Sequence, residues 1–172
     1  MQILKSKRVM LLLISLASIF ALGVTTSIAQ EKIKISGKHY GVTTKVEVIE
    51  VDDTEGHILS IAESKGVDVV TGDYFVNRGF VDHVKGNGLF IGYQKTVDKD
   101  GDVTFRKFEG KSTTTLSPEG KPITITEGTF SFIKGTGKWE NIHGGGTSKA
   151  KSIGPGMGIF MDDWEGEYFI KK

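Results

Sequence analysis

From residue 32 onward one pattern repeats: segments of five to twelve residues rich in Val, Ile, Thr, Phe and Tyr, each bounded by Gly, Asp or Asn. Such runs are strands separated by turns. No apolar i, i+3, i+4, i+7 stripe lasts three turns in this region, which excludes helix as its main element. The runs predict strands over residues 33–40, 43–52, 57–63, 73–85, 88–97, 103–115, 122–134 and 138–151, with a final one near 157–170 as the eighth or ninth. Asp100-Gly101 between Tyr93-Gln94-Lys95-Thr96-Val97 and Val103-Thr104-Phe105 is a hairpin signal. Pro118-Glu119-Gly120 and Gly86-Asn87-Gly88 mark further tight reversals. Strands joined by turns this short are antiparallel.

An open sheet of this many strands leaves aggregation-prone edges, so the chain closes into a barrel or stacks as a sandwich. Gly79, Gly92, Gly110, Gly128 and Gly166 fall inside the predicted strands and favour the barrel, where curvature and close backbone approach need a missing side chain. The predicted fold is all-β: a single antiparallel eight-stranded β-barrel, calycin-like in outline, over residues 30–172.

Ahead of it, Lys5, Lys7 and Arg8 precede the apolar run Val9 to Leu22, and Ser27-Ile28-Ala29 supplies a small-x-small pattern. This is the layout of a cleaved signal peptide over residues 1–29, cut after Ala29. The run is too short, and too interrupted by Ser15, Ser18 and Gly23, for a membrane span of about 20 apolar residues. No cysteine follows it, so lipid attachment through one is excluded, and no membrane span is expected after cleavage. A secreted or periplasmic location follows as an expectation. The remaining 143 residues are the size of one domain. With no cysteine in the chain, packing must hold this domain together without disulfides. The leader carries three basic residues and no acidic one, leaving 19 basic against 21 acidic residues, a charge of −2. That balance is no nucleic-acid footprint.

Fragments of catalytic motifs fail on context. His143-Gly144-Gly145-Gly146 resembles an oxyanion-hole loop, but no G-x-S-x-G elbow or α/β pattern accompanies it. Ser148 and Lys151 have S-x-x-K spacing without the companion motifs. Gly135-Thr136-Gly137-Lys138 is followed by Trp139 in a strand pattern, where a phosphate loop would open a helix. Asp98-Lys99-Asp100-Gly101-Asp102 alternates carboxylates as a calcium loop does, but Lys107 stands where the closing glutamate belongs, so a polar hairpin tip is the better reading. His39, His57, His83 and His143 have no metal-ligand spacing, although barrel closure could bring two together. No metal or cofactor is expected.

Period-2 alternation places Tyr74, Val76, Arg78 and Phe80 on one face of their strand. It groups Asp163, Glu165, Glu167 and Phe169 on one face of the last strand, with Trp164 and Tyr168 opposite. Arg78 with Glu165 or Glu167 either points into the barrel, to pair there or to titrate abnormally, or faces water. Tyr74, Arg78, Tyr93, Glu165 and Glu167 are the candidate ligand-binding residues on the first reading.

The stretch Gly128-Thr129-Phe130-Ser131-Phe132-Ile133-Lys134-Gly135-Thr136-Gly137-Lys138-Trp139-Glu140-Asn141-Ile142-His143-Gly144 resembles the strand-turn-strand segment of the allene oxide cyclase and dirigent-protein superfamily. Gly86 to Tyr93 and the Asp-Gly hairpin fit the same order more loosely. Lys134 stands for the first glycine of the family turn, and Trp139 for its usual Phe or Tyr. The resemblance implies an eight-stranded barrel with an interior pocket. The family's catalytic residues lie outside this segment and have no matching positions here.

Three functions compete on these grounds: a binding module holding a small hydrophobic molecule in the barrel, a cyclase or dirigent-like enzyme steering a reactive lipid or phenolic intermediate, and a structural protein that assembles as a homo-oligomer, a dimer or trimer. An interior lined only by apolar side chains favours carriage. A paired Arg and Glu with shifted pKa at its base favours chemistry.

Overall fold

The alternating runs are longer than the turn signals suggest, because several glycines read as punctuation lie within strands. A computed structural model describes residues 30–152 and 158–171. The leader expected over residues 1–29 lies outside them. Eight strands follow in chain order: β1 (Ile33–Glu50), β2 (His57–Asp68), β3 (Tyr74–Val84), β4 (Asn87–Val97), β5 (Val103–Leu116), β6 (Pro122–Gly135), β7 (Ile142–Ser152) and β8 (Ile159–Ile170). Each pairs antiparallel with the next and β8 returns to β1, so the sheet closes as an eight-stranded barrel. Among the described residues no helix is long and apolar enough to cross a membrane.

Four sequence expectations change. The segments 33–40 and 43–52 are one strand, β1, whose pairing with β2 shifts register between Thr43 and Lys45; Gly41 is part of the strand. β2 runs through Gly66 to Asp68, five residues beyond its expected end. The reversal after β3 is Lys85-Gly86, both at positive φ (51° and 78°), and Asn87 already belongs to β4. Residues 138–139 are not strand: Gly137–Trp139 form a 3-10 turn, with β7 beginning at Ile142. The final strand is therefore the eighth.

Aromatic rings fill the interior by lying on glycines. Gly79 pairs with Gly92 across β3 and β4, under the Phe108 ring. Gly110 pairs with Gly128 across β5 and β6, and a Cβ there would sit 2.8 or 2.9 Å from Phe90. Such contact distances leave no room for a methyl group. Towards the end of the barrel carrying the β2–β3, β4–β5 and β6–β7 connections, Phe130, Phe132, Ile142 and Trp164 form a buried cluster. Phe75 is fully buried beside His39 and Phe160. Together these side chains stopper that end.

The same end is tied from outside by Asp98. Its carboxylate accepts hydrogen bonds from the Trp139 indole (2.9 Å) and the backbone N–H groups of Asp100 and Asp102. Lys138 Nζ lies 2.8 Å from Asp98 and 2.6 Å from Asp100. An ammonium group thus sits between the carboxylates that alternate in calcium-loop fashion. Burial raises the Asp98 pKa, but the donors outweigh it and hold it at about 2. The hydrogen bonds to Asp100 and Asp98 raise that of Lys138.

Candidate functional site

The upper half of the barrel is open inside. A cavity of about 270 Å³ runs from mid-barrel to the end carrying the β3–β4 turn, where Gly86 and Ser152 line it. Its volume lies near the lower end of the small-molecule range. Phe90, Phe108 and Phe130 contribute aromatic wall, and His39, Arg106, Asp162 and Trp164 stand at its base.

His39 comes from β1, and the cross-strand register puts it opposite Asp162 of β8 on one side and Asp68 of β2 on the other. Its Nδ1 is 3.1 Å from Asp162 Oδ2, and its Nε2 is 3.6 Å from Asp68 Oδ2. Asp68 is held in place by three N–H donors: the Trp164 indole (2.8 Å) and the backbone of Val70 (2.8 Å) and Thr71 (3.1 Å). The β2–β3 connection wraps around this carboxylate, with Gly72 N–H donating to its main-chain oxygen. Asp68 is 2% exposed and His39 3%.

Arg106, on β5, is 7% exposed and has no carboxylate within salt-bridge distance among the described residues. Its guanidinium lies 4.4, 4.7 and 4.9 Å from the ring centres of Trp164, Phe130 and Phe132. Stacking of this kind compensates only part of a buried charge. Burial pushes its pKa down to about 10, against the Coulomb pull of Asp68, Asp162 and Asp73. It remains a cation at neutral pH.

Several polar atoms here have no partner. Arg106 Nε, Asp162 Oδ1 and Asn77 Oδ1 are buried without a hydrogen bond, as is His83 Nε2 nearer the mouth. Unsatisfied buried groups are rare in folded proteins, and each calls for a partner, whether water or ligand. The base of the cavity thus presents a cation and an imidazole linked to the Asp162 carboxylate, with the anchored Asp68 carboxylate behind the imidazole. That set can orient a hydroxyl or carbonyl group and move one proton.

The five ligand-binding residues expected from the sequence are all placed on the outer wall. Arg78 is 71% exposed on its side chain and binds Glu63 through Nε (3.0 Å) and Nη2 (2.9 Å). Tyr93 is its cross-strand neighbour, also exposed. Tyr74 is exposed, Glu165 faces solvent, and Glu167 pairs with Lys32. Arg78 and the two glutamates take the water-facing alternative. The inward residues of β3 are the opposite set, Phe75, Asn77, Gly79, Val81 and His83.

The residues at the base escaped sequence reasoning for identifiable reasons. Asp68 lay beyond the expected end of β2. Arg106 sits where both alternating faces of Val103-Thr104-Phe105-Arg106-Lys107-Phe108 mix apolar and polar side chains. Asp162 carried a usable signal: it shares a face with Trp164 and Tyr168, the two large aromatics of β8.

No protein-family model matches the chain, and no curated protein matches it in sequence. Solved structures resemble it in shape. The pterocarpan synthase dirigent protein PsPTS1 superposes with a TM-score of 0.50 at 10% identity, covering 83% of this chain and 97% of that one. The pterocarpan synthase dirigent protein GePTS1 gives 0.48 at 10% identity, over 86% and 94%. With its closed eight-stranded barrel and its likeness to PsPTS1, the chain has the barrel fold of the dirigent proteins, as its Gly128 to Gly144 segment led one to expect.

Proposed function

We propose that this is an exported barrel that binds a small hydroxylated aromatic molecule and steers its ring closure. The observation that carries the reading is the cavity base, where Arg106 and the pair of His39 and Asp162 meet beneath aromatic walls, with Asp68 behind His39. A carrier of purely hydrophobic cargo has no use for a buried cation whose desolvation is incompletely offset. The export part of the reading rests on the charged-then-apolar leader. The fold likeness supports the barrel and leaves the reaction to the residues. In the pterocarpan synthases of the same fold, the name records the formation of a ring compound; here the same class of event is the proposal.

The chemistry conserves atoms. A phenolic oxygen attacks an electrophilic carbon of the same molecule while Asp162 takes the phenol proton. The electron pair moves to a conjugated carbonyl oxygen facing Arg106, and the proton returns to the adjacent carbon as the carbonyl re-forms. Holding one face of the substrate against the wall decides which enantiomer forms.

2′-Hydroxychalcone, which closes spontaneously to racemic flavanone, tests this. An excess of one enantiomer, lost in Asp162→Asn, is the expected result. Racemic product at the spontaneous rate, with no change in tryptophan fluorescence on adding the chalcone, would overturn it. Binding without enantiomeric excess would return the protein to carriage.

A further inference from the structure

The base of the cavity accounts for only half of its lining, and the mouth half is unexpectedly polar. Following the cross-strand register, His83 lies opposite Gly88, which lies opposite Ser112, then Thr126, Ala150, Asp162 and His39. Because the strands are staggered, this line winds from the mouth down to the base. Ser112 and Thr126 hydroxyls are 3.2 Å apart, and Thr114 and Thr124 hydroxyls 2.8 Å. Thr114 also donates to the Gly86 carbonyl (2.8 Å), which makes Thr124 the donor of their mutual bond. Since each hydroxyl carries one donor and two acceptor sites, the single bonds of Ser112, Thr124 and Thr126 leave capacity unused.

His83 is the second observation. It is 4% exposed, lines the cavity, and its Nε2 has no hydrogen bond. Burial pushes its pKa below the ordinary 6.5, more than the Asp82 charge raises it, which favours the neutral ring, one nitrogen a donor and the other an acceptor. Beside this polar line Phe90 lies over Gly110 and Gly128, one inward position below Ser112 and Thr126. An apolar ligand filling this tier would strip water from the hydroxyls and return nothing. A molecule with hydroxyls along one edge and a C–H face for Phe90 satisfies both.

We propose that the mouth half of the cavity is a subsite for a sugar ring, so that the ligand is an aryl glycoside whose aromatic part sits over Arg106 and whose glycosyl hydroxyls meet His83, Ser112 and Thr126. This rests on the reading of the cavity as a binding site for hydroxylated aromatics. It adds the class of substituent that the ring carries.

Calorimetric titration of the full-length chain with 4-nitrophenol and with its β-glucoside, β-galactoside and β-xyloside tests it. At least one glycoside is expected to bind about tenfold tighter than the phenol. Ser112→Ala and His83→Leu should each remove most of that gain while leaving 4-nitrophenol affinity unchanged, and His83→Gln should restore part of it. Thermal melts identify any variant that fails to fold, and Ser112→Ala then carries the test. Glycosides that bind no tighter than 4-nitrophenol overturn the proposal and leave the cavity reading standing. If the phenol does not bind either, the cavity reading falls with it.

Discussion

Arg106 is the side chain whose environment asks most for an explanation. It is buried against three rings, and its Nε has no partner. Replacing it with Met removes a desolvated charge and keeps most of the packing volume, an exchange that is often neutral or stabilising. The expected outcome for Arg106→Met is a melting temperature within about 4 °C of the parent, roughly the effect of 1 kcal/mol in a domain of this size, with loss of the enantiomeric bias. Asp68 should behave oppositely. Asp68→Ala strands the Trp164 indole and the Val70 and Thr71 amides, and should cost about 3 kcal/mol in denaturant unfolding. His83 adds a pH dependence. Its folded pKa lies below its unfolded one, so the unfolded chain binds the proton first, and stability falls as pH drops below about 6.5. His83→Gln should flatten that limb of a melting-temperature profile. At this scale the sequence was least informative: the inner wall of β3 carries Asn77 and His83 and the outer one Val76 and Phe80, so apolarity does not say which side is in.

Among the elements, the β4–β5 hairpin and the 3-10 turn Gly137–Trp139 work as a pair through Asp98. Four donors converge on that carboxylate, and Asp98→Ala should cost about 2 kcal/mol. Because its folded pKa is depressed from 3.8 to about 2, the contribution is present above pH 3.8 and is lost as pH falls towards 2. An acid titration of stability should show that loss in the parent and not in the variant. The existence of this hairpin was legible from Asp100-Gly101. Its partner was not, since Trp139 read as strand: an aromatic between Lys138 and Glu140 has the strand pattern, and only the Gly137 conformation, φ 55°, reveals the turn. β2 shows the converse. Its expected end was residue 63, yet the strand runs on through Gly66, which is glycine because the Tyr40 carbonyl and the Phe75 ring lie against it inside the sheet.

For the whole molecule, eight-strand closure was readable because turn signals and strand-interior glycines agree with each other. Gly92 tests the reason. A methyl group there would collide with the Phe108 ring and the Arg78 carbonyl, so Gly92→Ala should lower stability by about 2 kcal/mol and push Phe108 into the cavity, weakening any ligand that occupies it. What patterning left hidden was that the interior is only half core. The stopper of Phe75, Phe132, Ile142 and Trp164 makes the remaining space a cul-de-sac. Among the described residues a guest has one doorway to enter and back out through, and in so narrow a space it keeps the orientation in which it arrived. Whichever end leads on entry meets the charged base, and a finished product bars the way to the next arrival until it leaves. For the ring closure proposed above, departure would then set turnover, and adding product should slow it by simple competition for the doorway.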